Sequence, residues 1–377
     1  MRYFIIIAAM LSATSLTAGG WEASRLDTKF MYEKGSYAEM SHAAIDYDVK
    51  SKNLEPITPK YIVERSVKKS QTRTAMAFKT SYKGFDVGVT RFKSGTIQLV
   101  GTAAGYGGGS AGPVPAADVN LNTLTFMSKF NLGENVDLLL GLNRNTLDDG
   151  TVTTTRGKYT ITGESNVGSL VGFAYSKPEI AMRVEILAQP KSEMKVGTSL
   201  VTSAYGKTKF AAPCSSPTND TATFNSSLSR PATLTMNFQS GVAADTLVFG
   251  SIHRTDWSGA QIDVPSGCPA TATGSVFWDT TTYTLGAGRK VSDSLSLTAS
   301  VAKETGGNST TSSLFTTNNG YSAVNLGAQY TVGKVKISGG YNYTKLGNVT
   351  VTDGTYNHAT YTGNKVSAFA LKVGVNF

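Results

Sequence analysis

The last twelve residues constrain the fold more than any other stretch. From Val366 to the end, Phe369, Leu371, Val373, Val375 and Phe377 alternate with Ala368, Ala370, Lys372, Gly374 and Asn376. A period of two places one set on each face of a strand. One face is apolar and ends on an aromatic terminal residue, and the other is small or polar. A strand that is apolar outside and polar inside is the pattern of an outer-membrane β-barrel wall. An edge strand of a soluble β-sandwich would alternate in the same way. That reading loses ground because the pattern recurs along the chain.

The amino terminus agrees with export. Met1-Arg2 is followed by an apolar run from Tyr3 to Leu11 and a small, polar stretch from Ser12 to Ala18. This reads as a secretory signal peptide over residues 1–18, cleaved after Ala18. The run is too short to cross a bilayer as a helix, which takes about 20 apolar residues.

Composition fits a barrel. Charged residues make up 16% of the chain, against about 25% in soluble domains. Mean hydropathy is only −0.12, as expected where inward polar residues dilute outward apolar ones. The formal charge is +9, but Lys and Arg are scattered and Lys68-Lys69 is the basic doublet. Scattered charge argues against nucleic acid and fits weak attraction to anionic lipopolysaccharide.

Short turns and long polar connections alternate along the chain. Hairpin-like connectors carrying Gly, Asp, Asn or Pro lie at Tyr82–Gly84, Asn131–Glu134, Tyr175–Pro178, Gln239–Ala244, Lys290–Asp293 and Thr331–Lys334. Between the hairpins lie longer stretches such as Lys93–Val119, Thr146–Glu164 and Pro190–Ser229. With a first strand at Tyr37–Val49 and a last one at the carboxy terminus, the pattern predicts about fourteen strands, an even number as a closed barrel requires. The expected architecture is all-β: a 14-stranded antiparallel transmembrane barrel over residues 37–377, with short periplasmic turns and long external loops.

Gly19–Ser36 precedes the first strand. Trp21, Leu26, Phe30 and Met31 recur there among charged residues, which predicts a short amphipathic helix. A free tail has no need of four large apolar side chains, so the segment is expected to plug the lumen and border a ligand site. A disordered leader is the alternative.

Chemistry is sparse. His42, His253 and His358 begin no hydrolase motif, no metal-type cluster is present, and Gly105–Gly109 lacks the Lys-Ser/Thr of a phosphate loop. No catalytic residues, metal or cofactor are expected. Cys214 and Cys268 fall in expected external loops of an exported chain, which favours a disulfide over two free thiols. If Leu247, Phe249 and Trp257 face lipid, Arg254 and Asp256 point inward, and Arg254 could receive a carboxylate head group.

Several stretches resemble the FadL-type family of long-chain fatty acid and hydrophobic-compound channels. Leu247 to Ser258, ending Thr255-Asp256-Trp257-Ser258, is similar to a strand of that family, as is the preceding Arg230-Pro231-Ala232-Thr233-Leu234-Thr235-Met236. Trp278-Asp279-Thr280 through Gly286-Ala287, and Tyr37-Ala38-Glu39-Met40 after Glu33-Lys34-Gly35, carry the rest of the likeness. The family's amino-terminal Asn-Pro-Ala segment is missing. The resemblance implies a barrel closed by an amino-terminal hatch, external capture of an apolar substrate, and exit through a lateral opening in the wall. The expected role is therefore a passive, monomeric channel in a Gram-negative outer membrane. Its partners would be a hydrophobic small molecule, outer-membrane lipid, and the barrel-assembly machinery acting through Phe377. A general aqueous porin or sugar channel, and a surface adhesin or receptor barrel, are the rivals.

Overall fold

A computed structural model describes residues 20–377, apart from 55–60, 64–65, 102–114, 155–156, 203–220, 263–274, 314 and 353–356. The expected signal peptide over residues 1–18 and both cysteines lie outside the described residues, so the Cys214–Cys268 expectation does too.

The chain forms a closed antiparallel barrel of 14 strands. In chain order the wall strands are β1 (Tyr37–Asp48), β2 (Gln71–Tyr82), β3 (Phe85–Leu99), β4 (Ala116–Asn131), β5 (Val136–Leu147), β6 (Glu164–Lys177) and β7 (Met182–Gln189). They continue as β8 (Ala232–Ala243), β9 (Thr246–Asp256), β10 (Thr280–Lys290), β11 (Leu295–Glu304), β12 (Tyr321–Val332), β13 (Val335–Leu346) and β14 (Lys365–Asn376). Each strand pairs with its neighbours in sequence. The ring closes where β1 pairs with β14, from Tyr37↔Asn376 to Asp48↔Lys365.

Alternation decides which face meets lipid. On β14, Phe369, Leu371 and Val373 are 52%, 50% and 45% exposed, whereas Ala368 and Ala370 are 3% and 2% exposed. Large apolar side chains point outward and small ones inward, as a transmembrane wall requires. Phe377 follows the same parity. Its ring stacks on that of Phe78 with centroids 6.1 Å apart, and its backbone N–H donates to the Ser36 carbonyl at 3.0 Å.

Several segments read as long polar loops are β-structure. Gly150–Thr154 and Gly157–Ile161 form one hairpin, Ser192–Thr202 pairs with Thr221–Arg230, and Gly157–Ile161 joins the two by pairing with Thr198–Thr202. Ser51–Leu54, Tyr61–Val63, Thr310–Thr311, Val349–Thr352 and Asn357–Tyr361 build a separate five-stranded sheet at the same end. These stretches are rich in Thr and Val, whose β-branched side chains suit strands. Their polarity made them look like loops.

One part of the wall is irregular. β3 pairs with β2 only from Tyr82↔Phe85 to Met76↔Arg91. The remaining residues of β2, Gln71–Ala75, pair on the β1 side alone. β3 carries on beside β4, with a bulge between Lys93 and Gly95. Its freed edge takes the short strand Glu22–Ala23, in the register Glu22↔Thr96 and Ala23↔Gly95.

Candidate functional site

Residues 20–36 enter the barrel's interior, though not as the amphipathic helix that the spacing suggested. They form the two-residue strand Glu22–Ala23, an extended stretch, and a single 3-10 turn at Lys29–Tyr32. The edge of β3 offers hydrogen bonds to an extended chain, and that tertiary pairing outweighs helical spacing in so short a piece.

The wall makes room for the segment's large side chains. Phe30 and Met31 are 2% and 0% exposed and pack with Tyr37, Ala77, Met127, Leu170 and Leu187. A Cβ at Gly88 of β3 would lie 2.3 Å from the Met31 Sδ and 2.8 Å from the Phe30 ring. Only glycine fits there. Trp21 is buried in a second apolar cluster with Leu121, Met194, Trp257 and Phe277, and Leu26 is partly buried beside the first.

Polar side chains hold the backbone between these anchors. The buried Glu22 carboxylate pairs with Lys68, accepts from Arg73 Nη2 at 3.2 Å, and accepts from the Tyr47 hydroxyl at 2.5 Å. Farther along, Glu185 of β7 accepts from the Thr28 hydroxyl at 2.7 Å, from the Tyr32 hydroxyl at 2.9 Å and from Asn237 Nδ2 at 2.9 Å. The Arg183 guanidinium lies 3.8 Å from the centre of the Tyr32 ring. Lys336 and Glu33 form an ion pair at 2.5 Å.

The Glu22 cluster has a pH consequence. Burial pushes the carboxyl upward, but Lys68 and Arg73 outweigh it and hold Glu22 below the usual carboxylate range. A folded-state value below the unfolded one stabilises the docked segment fully above the unfolded value of 4.5. That contribution fades as pH falls through the lower, folded value. Residues 20–36 should therefore stay docked from neutral pH down to the unfolded value and loosen only in stronger acid. Protease access to the segment, followed across that range, checks the direction. Loosening just below neutral pH would contradict it.

Three cavities meet at Ser24–Asp27. The largest, about 180 Å³, lies between Arg25–Lys29 and the inner faces of β7 to β13. The second, about 80 Å³, sits where β3 has left β2 and is lined by Ala75, Met76, Thr90, Phe92 and Lys93 with Ser24, Arg25 and Asp27. The third, about 50 Å³, lies under Trp21 and Trp257 and reaches Leu121, Arg230 and His253. Arg25 lines all three. The amino-terminal segment thus contributes lining to an upper pocket, to an interior chamber and to the cavity beside the unpaired part of the wall.

Of the residues singled out in the sequence, Trp21, Phe30 and Met31 are buried against side chains of the wall strands and Leu26 is partly buried beside them. Arg254 does not join them. Its side chain is 59% exposed on the outer face of β9 and pairs with Asp279 at 3.1 Å. The inward side chains of β9 are Leu247, Phe249, Ser251, His253 and Thr255, all buried. The expected parity is reversed because the lumen is filled: an apolar residue can bury itself inside as well as against lipid. His253, which begins no hydrolase motif, faces the upper pocket and is bracketed by the hydroxyls of Thr235 at 2.7 Å and Thr255 at 3.1 Å. Glu22, Arg25 and Gly88 carried no motif that could have singled them out.

No family model matches the chain, and no curated protein matches it in sequence. Solved structures do match. A Pseudomonas aeruginosa FadL homologue superposes with a TM-score of 0.75 at 13% identity, covering 92% of each chain. The fold is that of the FadL-type channels. The Pseudomonas putida toluene transporter TodX matches with a TM-score of 0.61 at 10% identity over 96% of each chain. The Ralstonia pickettii toluene transporter TbuX gives 0.60 at 11% identity, over 92% of this chain and 90% of its own. At such identities the likeness is one of FadL-type architecture.

Proposed function

We propose that the chain is a divergent FadL-type channel of a Gram-negative outer membrane, passing hydrophobic or amphipathic small molecules inward, long-chain fatty acids among them. The observation that carries this is the partner exchange of β3. Where β3 leaves β2, a cavity lies between the two strands beside the amino-terminal segment. An aqueous porin needs an unobstructed lumen, and the burial of Trp21, Phe30 and Met31 among wall side chains supports a segment that narrows it. A solute that sheds water in an apolar pocket gains about 0.8 kcal/mol per buried methylene. The unpaired wall offers it a sideways route that avoids the polar layer outside. The segment serves as the hatch, and the monomeric barrel works down a gradient without catalysis or cofactor.

Two assays on the same preparation test this. Cells producing the protein should take up a labelled long-chain hydrophobe faster than cells without it. Proteoliposomes carrying it should resist swelling in a disaccharide solution. Rapid sugar-driven swelling with no gain in hydrophobe uptake would replace the reading with a general porin.

A further inference from the structure

Three lysines stand in line on the outer face of the wall. In the ladder, Tyr283 of β10 lies opposite Lys303 of β11, and Lys303 opposite Ser322 of β12. Ser322 lies opposite Lys345 of β13, Lys345 opposite Lys365 of β14, and Lys365 opposite Asp48 of β1. Alternation puts the three lysines on the face that carries Val301, Tyr343 and Phe369, and all three are exposed. The row lies two residues beyond an apolar row of Leu285, Val301, Val324 and Tyr343, on the side away from the short turns. It therefore marks the edge of the lipid-facing band, at the end where the five-stranded sheet stands.

Charge in this row is poorly matched. Like charges directly opposite on one face of a sheet destabilise it, and Lys345 and Lys365 are such a pair. Asp48 lies 3.7 Å from the Lys365 ammonium but is shared with Lys50, at 3.0 Å. Asp46, the next outward carboxylate on β1, accepts from the Ser70 hydroxyl at 2.7 Å. Glu304, beside Lys303 in sequence, is buried on the inner face. Among the described residues no carboxylate lies within ion-pairing distance of Lys303 or Lys345. A single lysine at such a boundary can extend its ammonium into water. That habit gives no reason for three of them to share one register. Other outward cations of the wall are spaced apart: Arg144 of β5 lies opposite Leu124 and Val167, and Arg254 pairs with Asp279.

We propose that Lys303, Lys345 and Lys365 form a docking site on the outside of the barrel for a lipid bearing two phosphates, the phosphorylated glycolipid (lipid A) of the outer leaflet. The proposal rests on the outer-membrane placement of the barrel and not on what passes through it. Neighbouring strands are about 4.8 Å apart, so Lys345 and Lys365 can share one phosphate while Lys303, two strands farther on, meets a second. Charge-assisted contacts from lysine suit a phosphate, which is bound as a point charge. The anion would offset the repulsion between Lys345 and Lys365. The acyl chains would then run down the apolar row beneath, over Val301, Val324 and Tyr343. A lipid held there spans β11 to β14 and reaches the closing seam between β14 and β1.

The test titrates the full-length protein, in a zwitterionic detergent, with bisphosphorylated lipid A, monophosphorylated lipid A and phosphatidylglycerol. Native mass spectrometry counts the lipid bound. The bisphosphate should bind the unaltered protein most tightly. A lysine beside an anionic lipid surface contributes about fivefold in affinity. Lys303→Gln, Lys345→Gln and Lys365→Gln together should therefore weaken bisphosphate binding about a hundredfold, and arginine at all three positions should preserve it. Heat-modifiability on gels confirms that each variant forms a barrel. Arg144→Gln, on another part of the wall, should change nothing. An equal loss from that variant would make the attraction one of total charge and overturn the site. Equal binding of bisphosphate and phosphatidylglycerol to the unaltered protein would also overturn it, and that comparison needs no variant to fold. Monophosphate binding as tightly as bisphosphate would overturn the two-phosphate assignment. Displacement of the lipid by free pyrophosphate at the same concentration would give the row to a soluble anion and overturn the lipid. Each of these failures leaves the channel reading standing, and failed hydrophobe uptake leaves the lipid site standing.

Discussion

Cells carrying Phe30→Asp should leak small ions and take up hydrophobic solutes poorly. Phe30 is 2% exposed and its ring lies against Gly88 of the wall. A carboxylate placed there enters an apolar cluster, and Lys336 and Lys372, which line a small cavity with Phe30, are already paired with Glu33 and Glu39, so burying it costs several kcal/mol. The inexpensive escape is to undock residues 20–36. Undocking removes the segment that lines all three cavities, so single-channel conductance should rise while accumulation of a labelled hydrophobe falls. Gly88→Val tests the same contact from the other side, since its Cβ would enter the space of the Met31 sulfur. Both variants should form barrels as well as the unaltered protein does, because neither residue contributes a side chain to the outer face. Unchanged conductance in both would mean that the segment does not obstruct the lumen.

Phe377→Lys should reduce the amount of barrel far more than it changes the stability of barrels that form. The terminal ring faces outward onto Phe78, and the Phe377 N–H bonds to Ser36 beside the closing seam. A lysine there sets a charge on the apolar rim and removes the aromatic end of the last strand. Expression followed by heat-modifiability on gels measures the folded fraction. Most of the folded band should disappear, and what remains should unfold near the normal temperature. A full yield of the Lys variant would separate the terminal residue from assembly.

The wall was legible in the sequence because a period of two survives at most strands and turns bearing Gly, Asn, Asp or Pro mark the short ends. Val366–Phe377 is the clearest case, and its outward set is the one the alternation assigns. The interior was less legible. Trp21, Phe30 and Met31 could be noticed as large apolar residues in a charged segment, but their partners are set by three-dimensional neighbours such as Gly88 and Met127. Arg254 shows the limit most sharply. Leu247 and Phe249 are apolar because they pack against the filled interior, so apolarity could not tell inside from outside on β9. Arg25 and Arg230 are similar: they are isolated in sequence, and only the fold brings them to one cavity. Thr- and Val-rich hairpins above the wall were hidden by their polarity, since strands that meet water on one side need not be greasy.

The ladder of wall hydrogen bonds closes from β1 to β14 without residues 20–36, which touch it mainly at Ser94–Thr96 of β3 and at the seam beside Phe377. Segment and wall are therefore separable parts of one chain. Under the proposed function, changes in residues 20–36 would retune what passes while the last strand, Lys365–Asn376, keeps its sequence and its place in the ring. A lineage confronting a new solute could exchange this short leading piece and keep the vessel around it.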